Sequence, residues 1–174
     1  MRRLFAVAAV AVLCAACQTG SATPSESERA AVADTVKAVI NSVFDAASRL
    51  DAQGFVKRYA QDSVIIVDNG VSYSPTAFVP TADSFYKAMS TLQTKPTEFH
   101  TTVLAADAAA TTVPFTWSAT TKSGKALSGD GIWTAVLRKQ NGTWVIISSH
   151  ESEKSIADVM AALAPTAPAP PKKK

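Results

Sequence analysis

Two side chains in this sequence combine a titratable group with a position beside a predicted element of the core. His150 lies near the end of NGTWVIISSHES (141–152), which begins as an apolar strand, and Asp62 follows a predicted helix. Histidine exchanges a proton near neutral pH, and aspartate becomes a general base when apolar walls raise its pKa. His150 and Asp62 are therefore a candidate acid–base pair. The alternatives are a His150 bonded to a hydroxyl such as that of Ser148 and an Asp62 that caps a turn.

Four aromatic side chains are candidates for a ligand-binding site: Tyr59, Phe115, Trp117 and Trp133. Large rings line many pockets for small apolar molecules, and they equally fill the core of any domain of this size. The sequence does not decide on which face of the sheet Trp117 lies, because a bulge at residues 128–131 (SGDG) would move its side chain to the other face.

Metal, phosphate and serine-hydrolase chemistry find no support in the sequence. His100 has no partner at ligand spacing, and residues 25–163 contain two histidines and no cysteine. There is also no G-x-S-x-G turn and no phosphate-cradling glycine loop. We expect neither a metal nor a cofactor.

The N-terminus has the organisation of an export signal. Arg2 and Arg3 precede the ten-residue apolar run 4–13, which is too short to span a bilayer. Small residues then lead to Cys17, in an order that resembles a bacterial lipobox. We expect residues 1–16 to be a signal peptide and Cys17 to carry a lipid anchor, with ordinary signal-peptidase cleavage as the alternative. In Gram-negative bacteria, aspartate directly after the lipidated cysteine favours retention at the inner membrane. This chain has Gln18 at that position, so we expect an outer-membrane location if the organism is Gram-negative. The expected location is the periplasmic side of the envelope.

Composition separates one domain from two polar ends. Residues 17–24 are small and polar and are predicted to be a tether, and the Pro/Lys-rich segment 164–174 is predicted to be a disordered tail. The net charge of +3 comes from the signal peptide and the tail, because residues 25–163 contain all 14 acidic groups and only 12 basic ones. No basic face is apparent, so we expect no nucleic-acid partner.

Three helices are predicted in the first half of the domain. Ser25 and Glu28 form a capping box ahead of apolar residues at three- and four-residue spacing up to Leu50. Asp51 is predicted to cap a second helix over 52–61. Thr81 is predicted to cap a third helix over 82–92.

Strands are predicted around the first hairpin and after Pro96. Asn69-Gly70 and Asn141-Gly142 are strong hairpin signals. Further strands are predicted near 98–104, 110–121, 126–139 and 143–152. A two-residue turn at Asn141-Gly142 would place Leu137 opposite Ile146, with Trp144 on the same face, and Trp133 opposite His150. A one-residue slip would exchange the faces.

Three stretches in this order resemble one family: RYAQDSVIIVDNG, SGKALSGDGIWTAVLRKQNGTW and WVIISSHES. The chain resembles the nuclear transport factor 2-like superfamily, in its SnoaL-like branch, over about residues 30–152. The resemblance implies an α+β fold in which a cone-shaped, curved antiparallel sheet wraps around three N-terminal helices, the cystatin-like roll. It also implies an apolar pocket at the open end and a homodimer that forms through the sheet. The segment VSYSPTAFVPTAD is longer than usual and is predicted to be a lip over the pocket.

The family includes isomerases, dehydratases, cyclases and non-catalytic binders, so fold alone does not settle function. The first hypothesis is an exported, lipid-anchored domain that binds a small apolar molecule. The second is an isomerase, dehydratase or cyclase that uses Asp62 and His150 as acid and base. The third is a dimerisation module with a vestigial pocket. We expect His150 to line the pocket wall in either of the first two cases.

Overall fold

The computed structural model describes residues 23–61 and 65–154, together with Val159 and Ala161. The predicted signal peptide, Cys17, Asp62 and the tail all lie outside the described residues. No helix in the described part of the chain is both long enough and apolar enough to cross a membrane.

The first helix forms as predicted, and the second is shorter. Helix α1 is Glu26–Ser48, and its capping box joins Ser25 and Glu28 reciprocally. Helix α2 is Ala52–Val56, begun by the Asp51 carboxylate, which accepts from the Gly54 N–H. Beyond Val56 the backbone turns to the sheet, where the Ala60 N–H donates to the Ile146 carbonyl at 2.9 Å.

The third helix begins earlier than predicted. Helix α3 is Pro75–Ala88, and its cap is Ser74 rather than Thr81. The Ser74 hydroxyl accepts from the Ala77 N–H, and Pro75 occupies a first-turn position that needs no donor. The segment predicted to be a lip therefore contributes the first half of this helix.

Seven strands form one curved sheet. They are β1 Ile65–Asp68, β2 Val71–Tyr73, β3 Met89–Pro96, β4 His100–Ala105, β5 Ala108–Thr121, β6 Ala126–Gln140 and β7 Thr143–Glu153. Their order is β2-β1-β7-β6-β5-β3, and β4 also pairs with β5. The α+β prediction is confirmed, with one correction: the sheet is mixed rather than wholly antiparallel, because β1 lies parallel to β7. The third helix follows the first hairpin, as predicted.

Strand β3 was not predicted, because its first apolar residues have the spacing of a helical turn. Met89 and Leu92 are both buried at a spacing of three. The pairing with β5 shifts between Met89 and Thr91, and this irregularity turns both side chains to the same face. A bulge in a strand thus has the apolar spacing that predicts a helical turn.

The last hairpin starts in the predicted register and then slips by one residue. Asn141 and Gly142 both have positive φ, as a type I′ turn requires. Leu137 faces Ile146, but Val136 faces Ser148, so Ile147 has no partner. This bulge reverses the faces of every later residue in β7.

The predicted pair of Trp133 and His150 is therefore wrong. Trp133 lies opposite Glu151, and His150 lies opposite Thr134. Ser149 is buried on the same face as Ile146, whereas an unbroken register would place these two residues on opposite faces.

Candidate functional site

A cavity of about 910 Å³ opens between the concave face of the sheet and the helices. Helix α1 supplies Val43, Phe44 and Ala47, and helix α3 supplies one side of the opening with residues such as Phe78 and Tyr86. The volume lies within the range of about 300–1,000 Å³ that is typical of pockets for small organic molecules.

The floor of the cavity is an aromatic cluster. Phe115, Trp117 and Trp133 project from β5 and β6 and are at most 5% exposed. The Phe44 ring meets Phe115 edge-on at 5.4 Å and Trp133 at 5.9 Å between ring centroids. These contacts lock the rings of the sheet against α1.

Two glycines in β6 let the rings of β5 lie flat on the sheet. A Cβ atom at Gly131 would stand 2.6 Å from Phe115 Cζ and 2.9 Å from the Ser152 carbonyl oxygen. At Gly129 it would stand 2.9 Å from Trp117 Nε1. Any larger residue would push these rings away from the sheet, so the glycines preserve the open volume.

The side of the cavity beneath α3 is also aromatic. Phe78 packs against Phe55 at 5.2 Å and against Tyr73 at 5.6 Å. Burial, reinforced by nearby carboxylates, raises the pKa of the Tyr86 phenol. Tyr86 therefore stays protonated at physiological pH and offers the cavity a hydroxyl group.

One edge of the cavity carries three carboxyl groups, from Asp68, Glu151 and Glu153. Asp68 and Glu151 are register partners in the parallel pair β1–β7, and Glu153 lies two residues further along the same face. Asn69 fixes this edge. Its Nδ2 donates to Asp68 Oδ1 at 2.7 Å, and its Oδ1 accepts from the Glu153 N–H at 3.0 Å.

The surroundings of these carboxyl groups favour their neutral forms. Burial raises the pKa of Glu151 to about 8, and the charges of Asp68 and Glu153 add to the effect. Burial, with a contribution from Asp68, raises the pKa of Glu153 to about 7. The pKa of Asp68 is also raised by burial, although the bond from Asn69 opposes the change. Groups that exchange protons near neutral pH thus face an apolar chamber.

His150 does not lie on the cavity wall. Its side chain is exposed on the opposite face of β7, since the Ile147 bulge turns it outward. The placement of His150 along the pocket is therefore a wrong prediction. The proposed partner, Asp62, lies outside the described residues.

The four aromatic candidates separate into two groups. Phe115, Trp117 and Trp133 line the cavity. The face of Trp117 follows from the pairing of β5 with β6, which has no bulge and turns this side chain inward. Tyr59 is buried outside it, where its hydroxyl lies 2.8 Å from Ser149 Oγ. Tyr59 anchors the end of α2 to the last strand.

The carboxyl groups that face the cavity were not predicted from the sequence. The period-two placement of Glu151 and Glu153 within a strand is a signal that could have found them, and so is the position of Asp68 just before the Asn69-Gly70 turn. Neither signal tells which face is inward. Across the described part of the chain, no three His, Cys, Asp or Glu side chains are placed to hold a metal ion.

Comparison with known proteins agrees with the fold. The family model of the SnoaL-like domain matches residues 36–157. No curated protein matches the chain.

Three solved structures illustrate the likeness. Hexachlorocyclohexane dehydrochlorinase LinA-type3 from Novosphingobium barchaimii LL02 superposes with a TM-score of 0.66 at 10% identity, over 75% of this chain and 91% of that one. A protein with a cystatin-like fold from Caulobacter vibrioides gives 0.59 at 17% identity, over 75% and 96%. A protein assigned as a dehydratase of the nuclear transport factor 2-like family, from Streptomyces avermitilis, gives 0.62 at 17%, over 72% and 97%. At these identities the likeness establishes the fold.

Proposed function

The chain belongs to the SnoaL-like domain family, and from that premise we propose that it binds a small, largely apolar molecule in the cavity between α1, α3 and the sheet. The observation that carries this proposal is the open, aromatic-floored volume of about 910 Å³. A core that served stability alone would close such a space, because protein interiors pack densely and empty volume is costly.

A neutral fluorescent probe tests this proposal. N-phenyl-1-naphthylamine brightens when it leaves water, and we expect it to bind the full chain in equimolar amount. Ala88 lines the cavity at the end of α3, and Ala77 is exposed on the same helix. Ala88→Phe should weaken probe binding at least tenfold, whereas the matched control Ala77→Phe should leave it unchanged. Equal binding by both variants would place the probe elsewhere and contradict the proposal.

A second candidate function is proton transfer catalysed in the same cavity. The observation that favours it is Glu151, a carboxyl group with a pKa raised to about 8, beside Trp133 in an apolar chamber. A group poised near neutral pH is suited to general acid–base catalysis. One structural relative is named as a dehydrochlorinase, an enzyme that eliminates hydrogen chloride. In this hypothesis Glu151 takes the acid–base role that was predicted for Asp62 and His150.

The catalytic alternative is tested with 3-cyclohexenone, whose isomerisation to the conjugated enone requires abstraction and return of one proton. Turnover that Glu151→Gln abolishes and His150→Ala leaves intact would support it. Turnover that survives in Glu151→Gln would assign the proton transfer to another group.

The dimerisation module receives less support from the structure. The large hydrophobic side chains exposed in the described residues are Ile65, Val71, Leu104 and Ile132, one on each of four strands. A strong interface needs a contiguous apolar patch, and these four residues lie on four different strands. Sedimentation velocity of the full chain would reveal a dimer if the sheet nevertheless provides one.

We also propose that the chain is exported and held to a membrane through a lipid on Cys17. The support is the sequence pattern of residues 1–17. Mass spectrometry of the N-terminal peptide should show an acylated Cys17, and Cys17→Ser should release the protein from the membrane fraction. An unmodified N-terminus beyond Cys17 would contradict this proposal.

A further inference from the structure

The cavity combines acidic and aromatic groups without a described cation. Asp68, Glu151 and Glu153 supply three carboxyl groups, and no lysine, arginine or histidine occurs among the described residues of the lining. Nor do the salt bridges within the described chain involve these three carboxylates. When these groups ionise, their negative charge therefore has no described protein counter-charge.

Glu151 lies at the centre of this edge. Its register partners are Asp68 on one side and Trp133 on the other, so its side chain lies between a second carboxyl group and an indole ring on the same face. The described residues give the Glu151 carboxyl group no hydrogen-bond donor, whereas Asp68 has Asn69. A partly buried carboxylate without a donor is costly, and a ligand that brings donors would satisfy it.

One buried polar atom of the cavity residues has no partner in the described chain. Trp117 Nε1 is buried and has no acceptor among the described residues. The cavity lining also contains several aromatic rings, and aromatic faces attract cations as well as apolar surfaces. The Trp117 N–H is a donor and needs an acceptor, so only the acidic edge and the aromatic floor, which belong to one volume, point to a cation.

From this arrangement we propose that the molecule bound in the cavity is an organic cation, an apolar body that carries a protonated amine or quaternary ammonium group held by Glu151, Asp68 and Glu153. This inference rests on the proposed ligand-binding function and names the class of ligand. The apolar body lies against Phe115, Trp117 and Phe44. The cation lies at the β1–β7 edge, where it supplies the missing counter-charge.

Three probes that share one hydrocarbon cage separate charge from shape: 1-adamantylmethylamine, 1-adamantylmethanol and 1-adamantanecarboxylate. Isothermal titration of the full chain at pH 8.5 keeps the amine protonated and most Glu151 side chains ionised. The amine should bind at least tenfold more tightly than the alcohol, and the carboxylate should bind most weakly.

Two variants assign the effect to the acidic edge. Glu151→Gln keeps the size of the side chain and should lower the amine affinity at least fivefold, with the alcohol affinity unchanged. Glu98→Gln alters an exposed carboxylate outside the cavity and should change neither affinity. Glu153→Gln provides the same test if Glu151→Gln fails to fold.

The results separate failure of the organic-cation inference from failure of the proposed ligand-binding function. Alcohol binding as tight as amine binding, or an amine preference that survives in both carboxamide variants, would overturn the organic-cation inference and leave the apolar-ligand function standing. Absence of binding by all three probes would overturn both.

Discussion

Replacement of Glu151 by glutamine should stabilise the folded chain, and the gain should grow with pH. In the folded state the carboxyl group is partly buried between Asp68 and Trp133, whereas in the unfolded chain it is in water. Glutamine has nearly the same shape and no charge to desolvate. The variant therefore removes a cost that the folded protein bears only when Glu151 is ionised.

The magnitude follows from the pKa of Glu151, which rises from an ordinary 4.5 to about 8 on folding. Between these two values the folded state holds a proton that the unfolded chain has lost. Stability is thus complete below pH 4.5 and falls as pH rises toward 8, by at most about 1.4 kcal/mol per pH unit. The difference of about 3.5 between the two pKa values sets a ceiling of about 4–5 kcal/mol. Because water enters the open cavity and screens the charge, we expect a gain of about 2 kcal/mol at pH 8.

Urea denaturation between pH 4.5 and 8.5 measures this effect. The natural chain should lose stability as the pH rises, and Glu151→Gln should have a shallower slope. Glu98→Gln, at an exposed site, should follow the natural chain. Parallel curves for the natural chain and Glu151→Gln would refute the claim that this carboxyl group is desolvated in the cavity.

Three further substitutions test other parts of the structure. Gly131→Ala should force the Phe115 ring off the sheet, lower the free energy of unfolding in urea by about 1–3 kcal/mol and weaken N-phenyl-1-naphthylamine binding. Unchanged binding would mean that this ring does not shape the cavity. Tyr59→Phe should lower the free energy of unfolding by about 1–3 kcal/mol, because it leaves the buried Ser149 hydroxyl without its partner, and should leave probe affinity unchanged. A large loss of probe affinity would show that Tyr59 reaches the ligand. His150→Ala should change stability by less than about 0.5 kcal/mol and leave probe affinity intact, since the side chain is exposed; weaker binding would return His150 to the site.

Features fixed by neighbours in the sequence could be predicted. The Ser25–Glu28 capping box and the apolar spacing after it locate α1, because both act within a few turns of the helix. Asn69-Gly70 and Asn141-Gly142 locate two hairpins, since few other residue pairs adopt two positive φ angles in succession. The overall fold was predicted correctly from the family resemblance. The match of residues 36–157 to the family model of the SnoaL-like domain confirms that resemblance.

Features that depend on distant packing could not be predicted. Two irregularities, between Met89 and Thr91 and at Ile147, decide which side chains face inward, and no local residue pattern marks either one. A single extra residue in β7 exchanges His150 for Glu151 at the cavity edge. For this reason the titratable residue predicted from the sequence, His150, lies on the correct strand but on the wrong face.

Native mass spectrometry of the protein purified from its own cells tests the central claim most directly. We expect a second species, heavier than the free chain by one organic molecule, whose abundance falls sharply in Ala88→Phe and not in Ala77→Phe. A spectrum with the free chain alone, or an adduct equally abundant in both variants, would contradict the claim that this cavity is a binding site.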